Sequence, residues 1–208
     1  MAIKAVLFDM DGVLIDARDW HYEALNEALA HFGFTISRES HLSTFDGLPT
    51  NAKLKILTQA LGLPSGMHGL INQLKQKYTI QHSYNRCRPR FNHRQTLSWL
   101  ASSYQIAVCS NSIRNTIETM MDLAKLTDYL DLIVSNQDVK KSKPDPEMYL
   151  VAMEKLNVDP SECLIVEDND HGVQAALASG GHLLRVASPD DVTLGRIKKR
   201  ISEINNQI

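Results

Sequence analysis

Residues 6–16 read Val-Leu-Phe-Asp-Met-Asp-Gly-Val-Leu-Ile-Asp, a short apolar strand that runs directly into acidic residues. Because successive side chains of an extended chain point to opposite faces, Asp9 and Asp11 point to the same side. Two carboxylates this close repel each other, so the pattern favours a bound cation or one protonated carboxyl group. The alternative is that Asp9, Asp11 and Gly12 simply close the strand in a turn.

Three further polar clusters each follow a short apolar run that is typical of a buried strand. They are Ser-Asn-Ser at 110–112, Lys-Pro-Asp-Pro-Glu at 143–147 and Glu-Asp-Asn-Asp-His-Gly at 167–172. Because the carboxyl ends of parallel strands meet at one edge of a sheet, we expect the four clusters to converge on one crevice. Their order along the chain favours a catalytic site over a simple turn at Asp9.

Apolar spacing along the chain predicts alternating strands and helices. The predicted strands are residues 3–9, 105–110, 132–135, 163–166 and 182–187. The predicted helices are residues 18–32, 50–61, 67–81, 92–103, 113–124, 146–156, 171–179 and 190–204. The alternation is typical of a doubly wound sheet, and only helices are predicted between residues 16 and 85. Asn169 is expected to cap the helix that follows it.

In these four motifs together, the chain resembles the haloacid dehalogenase-like hydrolase superfamily over roughly residues 3–190. It is most similar to the subfamily in which a helical cap is inserted after the first motif. The resemblance implies an α/β fold with a doubly wound, mainly parallel sheet. It also implies a core domain of residues 1–16 and 88–208 and a cap domain of residues 17–87.

The same resemblance implies a role for each acidic residue. Asp9 matches the nucleophile that forms an aspartyl-phosphate, and Asp11 matches the general acid and base. Asp9, the backbone carbonyl of Asp11 and Asp168 match the ligands of Mg²⁺, and Glu167 is either a further ligand or a hydrogen-bond partner of the ligands. Four carboxylates and a phosphate need more positive charge than one lysine supplies, so a divalent cation is close to mandatory.

Phosphate contacts are implied at the second and third motifs. Ser110 and the backbone of Asn111 match the phosphate-binding position, and Lys143 matches the cation that balances the phosphate and Asp9. The dehalogenating members attack carbon without a metal and are expected to lack the second aspartate. The presence of Asp11 therefore argues against dehalogenation.

In the cap, His21 matches a histidine that assists closure and proton handling in related phosphosugar mutases, and Thr50 ends a stretch that resembles the cap loop that meets the substrate there. His21 is equally well read as a histidine of the helix surface or an interface. The mutases carry an arginine where this chain has Thr50, which argues against a mutase of the beta-phosphoglucomutase type. Lys53 or Lys55 can replace that arginine, although lysines on helix surfaces are common.

These motifs predict a Mg²⁺-dependent phosphatase that hydrolyses a small phosphorylated metabolite, such as a sugar phosphate, through an aspartyl-phosphate. One alternative is a phosphosugar mutase, which transfers the phosphoryl group to a sugar instead of to water. The other is a binding protein that keeps the fold without the chemistry, although no nucleophile or metal ligand has been lost here.

Composition excludes several other classes. The chain has 208 residues, 43% hydrophobic, with a net charge of −2, which gives no electrostatic footprint for nucleic acid or a membrane surface. It has no apolar run of 18 residues and no Cys-x-x-Cys among its three cysteines. The first strand begins almost at Met1, so we expect no signal peptide and a cytoplasmic protein. The sequence leaves the oligomeric state open, with a monomer as the working expectation.

Overall fold

The computed structural model describes residues 2–206, which form a parallel sheet flanked by helices. Its strands are β1 (Ala5–Phe8), β2 (Gln105–Cys109), β3 (Leu132–Val134), β4 (Cys163–Glu167) and β5 (His182–Arg185). They lie in the order β3-β2-β1-β4-β5, and each neighbouring pair is parallel. The predicted doubly wound α/β fold is confirmed.

The helices account for most of the remaining chain. The α-helices are α1 (Arg18–Ala30), α2 (Arg38–Ser40), α3 (Thr50–Leu61), α4 (His68–Arg86), α5 (Phe91–Leu100), α6 (Arg114–Leu123), α7 (Glu147–Leu156), α8 (Asp170–Ala178) and α9 (Leu194–Asn205). A π-helical turn covers His41–Phe45, and 3₁₀ turns cover Ser65–Met67, Thr127–Tyr129, Pro160–Glu162 and Pro189–Asp191. Among residues 2–206, no helix combines the length and the apolar character that crossing a membrane requires.

The chain divides into two compact units. We call them the sheet unit, which runs up to Asp16 and resumes at Arg88, and the helical unit, Ala17–Cys87. In the sheet unit, β1 and β4 are buried along their whole length, because helices cover both faces of the sheet. This is why β1 reads as an uninterrupted apolar run, and β4 does so up to Val166. The side chain of Asn169 caps α8 by accepting a hydrogen bond from the backbone N–H of Gly172, as predicted.

The helical unit has its own apolar core, in which Leu25 and Leu29 of α1 pack with Leu54 of α3 and Ile71 of α4. Helix α4 continues to Arg86, five residues beyond its predicted end. Its polar last turns are stabilised by α1. The ring of His82 bonds to Glu27 at 2.7 Å, and Arg86 pairs with Glu23 at 2.6 Å.

His41 opens the π-helical turn and is almost fully buried. Burial, and then the nearby Lys53 ammonium, lower the pKa of His41 to about 4, while Asp46 opposes the shift. The folded protein therefore keeps this ring neutral at a pH where the unfolded chain protonates it. Stability that is present above pH 6.5 is lost as the pH falls towards 4.

We expect His41→Leu to reduce this acid sensitivity. The shift is worth about 3 kcal/mol at most, and solvent screening lowers the expected effect to roughly 2 kcal/mol. The measurement is urea unfolding at pH 7 and pH 4.5, which gives the difference in unfolding free energy for each protein. An equal difference for the wild-type and His41→Leu proteins would contradict the assignment.

Candidate active site

A tight turn directly after β1 sets up the site. The carbonyl oxygen of Met10 accepts hydrogen bonds from the backbone N–H groups of Val13, Leu14 and Ile15, at 3.3, 2.9 and 2.9 Å. Gly12 lies in this turn at φ +90°, a conformation that residues with a Cβ rarely adopt. A Cβ on Gly12 would also come within 2.1 Å of Asp168 Oδ2, so the turn lies directly against that carboxylate.

Three carboxylates gather at the carboxyl ends of β1 and β4. Asp9, Glu167 and Asp168 each offer an oxygen, and these oxygens all lie within 4.8 Å of one another. Asp9 is only 5% exposed. Burial, together with the charges of Glu167, Asp168 and Asp11, raises the pKa of Asp9 well above its usual range, although the Lys143 ammonium opposes the shift. The cluster is therefore short of positive charge.

Lys143 enters this cluster from the loop between β3 and α7. Its Nζ donates to Asp9 Oδ1 at 2.7 Å, to Glu167 Oε1 at 2.6 Å and to the carbonyl oxygen of Cys109 at 2.8 Å. An ammonium group has three N–H donors, so these partners use all of them. Burial alone would lower the pKa of Lys143, but Asp9 and Glu167 raise it above its ordinary value. Lys143 therefore stays charged and fixes the orientation of Asp9.

Hydrogen bonds also fix the position of the Glu167 carboxylate. Its Oε1 accepts a second hydrogen bond from the Tyr149 hydroxyl at 2.6 Å, and its Oε2 accepts one from the backbone N–H of Asp168 at 3.1 Å. The Lys143 Nζ also lies 4.7 Å from the centroid of the Tyr149 ring. Tyr149 and Glu167 are both completely buried. Burial, followed by the Glu167 charge, raises the pKa of Tyr149, so its hydroxyl remains a donor.

The Ser-Asn-Ser motif lies at the end of β2. The backbone N–H of Ser110 donates to the carbonyl oxygen of Val134 at 3.0 Å, and Ser110 Oγ accepts from the N–H of Ser112 at 3.1 Å. Ser112 Oγ in turn donates to Asp11 Oδ2 at 3.1 Å. The motif therefore links the phosphate position predicted at Ser110 to the predicted acid and base.

The cluster suits a magnesium ion. All of its donors are oxygens, which Mg²⁺ prefers, and the crowded carboxylates need a cation. Asp9 and Asp168 are better candidate ligands than Glu167, because Glu167 Oε1 already accepts hydrogen bonds from Lys143 and Tyr149.

A family model described as haloacid dehalogenase-like hydrolase matches residues 6–186. The chain belongs to the haloacid dehalogenase-like hydrolase family. The predicted membership is confirmed, and the match includes all four motifs.

Individual relatives of this hydrolase agree. It is 29% identical to a phosphorylated carbohydrates phosphatase of Thermotoga maritima, over 86% of this chain and 82% of that protein. It is 27% identical to a fructose-1-phosphate phosphatase of Escherichia coli, over 84% of this chain and 92% of that protein. Its fold is similar to the crystal structure of beta-phosphoglucomutase from Clostridium difficile, with a TM-score of 0.85, 22% identity, and coverage of 98% and 99% of the two chains.

The sheet unit of this haloacid dehalogenase-like hydrolase brings together most of the site residues predicted from the sequence. Two contributors were missed. They are Tyr149, which holds Glu167, and Ser112, which holds Asp11. Ser112 lies inside the Ser-Asn-Ser motif and Tyr149 lies two residues after the motif at 143–147, but no spacing rule pointed to either residue.

The three predicted cap residues lie in the helical unit. His21 is on α1, where its Nδ1 lies 3.0 Å from Lys75 Nζ. Thr50 is the first residue of α3, and Lys53, one turn later, is almost fully buried. Their contact with a substrate stays a prediction.

Gly172 offers a test of the Glu167 position. A Cβ at Gly172, in the first turn of α8, would lie 1.9 Å from Glu167 Oε1 and 2.2 Å from Oε2. We expect Gly172→Ala to displace this carboxylate from Lys143 and Tyr149, with a loss of about 1–3 kcal/mol in unfolding free energy. We also expect a marked fall in catalytic rate.

The matched control is Gly195→Ala in α9, where nothing lies within 4 Å of the added Cβ. It should leave activity unchanged and raise the unfolding free energy by up to about 1 kcal/mol. Thermal unfolding and phosphate release, measured on both variants, compare the effects of the two substitutions on stability and on activity. Equal stability and equal activity of the two variants would contradict the conclusion that Gly172 packs tightly against Glu167.

Proposed function

We propose that this chain is a Mg²⁺-dependent phosphoric monoester hydrolase that acts on a small phosphorylated metabolite through an aspartyl-phosphate. The observation that carries the proposal is the buried Lys143 ammonium, 2.7 Å from Asp9 Oδ1, beside the carboxylates of Glu167 and Asp168. An aspartate held in one orientation by a fixed cation suits a nucleophile. The names of the two phosphatase relatives support the same activity.

Asp9, Asp168 and the backbone carbonyl of Asp11 would hold the magnesium ion, and Glu167 would hold Lys143. When bound, the ion neutralises charge on the phosphate and the carboxylates as the phosphoryl group is transferred.

The reaction has two steps. In the first step, a carboxylate oxygen of Asp9 attacks phosphorus, the bond from phosphorus to the alcohol oxygen breaks, and Asp11 gives its proton to that oxygen. In the second step, Asp11 takes a proton from water while the water oxygen attacks phosphorus. This releases phosphate and regenerates the Asp9 carboxylate. Ser112 orients Asp11 for both transfers, and Ser110 and the Asn111 N–H donate to the phosphate oxygens.

We further propose that the substrate is a phosphorylated carbohydrate and that residues 17–87 act as a cap domain. The names of the two phosphatase relatives favour a carbohydrate. His21, Thr50 and Lys53 are the proposed substrate contacts of the cap. All three cysteines are buried and none forms a disulfide among the residues that the structure describes, which supports a cytoplasmic location.

The test is phosphate release by the purified chain from an aryl phosphate and from a panel of sugar phosphates, with Mg²⁺ and with excess chelator. We expect turnover with Mg²⁺ and none with chelator. We expect Asp168→Asn to require far more Mg²⁺ for half-maximal rate. Turnover that survives chelation, or an unchanged Mg²⁺ requirement in Asp168→Asn, would contradict the metal assignment.

The same assay separates hydrolysis from mutase activity. A hydrolase releases inorganic phosphate in proportion to the substrate consumed. Interconversion of two sugar phosphates without phosphate release would instead favour the mutase. Absence of both activities across the panel would favour a binding protein.

A further inference from the structure

Lys143 reaches Asp9 from a loop and not from a strand or a helix. The loop runs from Ser135 to Pro146, so no regular backbone hydrogen-bond ladder fixes the point from which the side chain starts. An error of about 1 Å in a catalytic group can cost a factor of about 100 in rate. Some other contact must therefore fix the position of the Lys143 backbone.

The side chain of Asn111 supplies two hydrogen bonds to that backbone. Its Oδ1 accepts from the N–H of Lys143 at 3.1 Å, and its Nδ2 donates to the carbonyl oxygen of Lys143 at 3.3 Å. One amide side chain thus binds both polar groups of a single residue, as a neighbouring strand would.

Asn111 is itself fastened to the same loop. The Nδ2 of Asn136 donates to the carbonyl oxygen of Asn111 at 2.9 Å, and the N–H of Asn136 donates to the carbonyl oxygen of Ser112 at 3.2 Å. These hydrogen bonds join the Lys143 loop to the end of β2, in addition to the bond from Lys143 Nζ to the Cys109 carbonyl oxygen. The Asn111 side chain supplies the bonds to the Lys143 backbone.

We propose that Asn111 is a positioning residue, whose side chain holds the Lys143 backbone so that the ammonium group reaches Asp9 and Glu167. This role is separate from the phosphate contact predicted for the Asn111 backbone. Its kinetic part rests on the proposed function, and its structural part does not. The role needs both a donor and an acceptor, which an asparagine provides and an alanine lacks.

The kinetic test is a double-mutant cycle on Mg²⁺-dependent hydrolysis of an aryl phosphate. We expect Asn111→Ala to lower kcat by about 10- to 100-fold with little change in KM. In a Lys143→Met background, the same substitution should change the residual rate less than about 2-fold, because the group that Asn111 positions is already gone. Asn115→Ala, an exposed asparagine on α6, is the matched control and should match the wild type.

The structural test is hydrogen exchange of single backbone amides by NMR. We expect the Lys143 amide to exchange at least about 10-fold faster in Asn111→Ala than in the wild type. The amides of Lys140 and Lys141, which donate to Glu147 at 2.9 Å, are internal controls and should not change. This measurement decides the proposal even if the Lys143→Met protein is too unstable to assay.

Each result has a clear meaning. Equal rate losses from Asn111→Ala with and without Lys143 would overturn the proposal, because Asn111 would then act on its own. An unchanged exchange rate at Lys143 would overturn it as well. A wild-type protein that hydrolyses no phosphate ester would refute the proposed function, while the exchange experiment would still test the contact.

Discussion

Asp9→Asn is expected to lower phosphate release by a factor on the order of 10⁴ or more, because the amide oxygen is too weak a nucleophile to form the aspartyl-phosphate. The fold should survive the change. The amide has the same shape, Lys143 keeps its contacts with Glu167 and Cys109, and a carboxylate with an upward-shifted pKa is removed. We therefore expect an unfolding free energy equal to or higher than that of the wild type.

Phosphate release and urea unfolding on the same preparation check both expectations. Asp16→Asn is the control, since Asp16 belongs to the same stretch but has a side chain that is 69% exposed. It should keep normal activity. A turnover of more than a few per cent in Asp9→Asn would remove Asp9 from the role of nucleophile.

Lys143→Met is expected to leave only a small residual activity and to destabilise the fold at the same time. Methionine keeps most of the apolar stem but leaves the buried Asp9 and Glu167 carboxylates without their shared cation. Removing one partner from a buried ionic cluster typically costs about 3–5 kcal/mol, and we expect a loss of that size in unfolding free energy. Urea unfolding without Mg²⁺ measures it.

Two further proteins identify the cause of this loss. Lys141→Met, at an exposed position of the same loop, should change stability by less than about 1 kcal/mol. In an Asp9→Asn background, Lys143→Met should cost less than in the wild type, because one buried charge fewer is left unpaired. An equal cost in both backgrounds would show that packing, and not charge, explains the loss.

Much of this architecture follows from local sequence. A strand such as β4 is recognisable because both of its faces are buried, so its apolar residues run without interruption. The acidic residues at its end are recognisable because they interrupt the apolar pattern, and packing in an apolar core does not account for them. The helix cap at Asn169 follows from side-chain chemistry within three residues.

Other local features were not predictable. The π-helical turn His41–Phe45 is only five residues long, too short for a periodic pattern to be recognised, and it depends on burial of His41 and Phe45 in the helical unit. The extra length of α4 depends on ion pairs with Glu23 and Glu27, more than 50 residues away in the chain.

The sequence by itself determined the alternation of strands and helices, and it indicated which polar residues end the strands, because both are set by side chains close together in the chain. The tertiary structure decided where those residues meet. Lys143 and Asp9 are 134 positions apart, and only the strand order, with β1 between β2 and β4, brings them to one edge of the sheet. The hydrogen bond from the Tyr149 hydroxyl to Glu167 and the one from the Lys143 N–H to the Asn111 side chain also join residues that are distant in the chain. No local sequence pattern encodes such contacts.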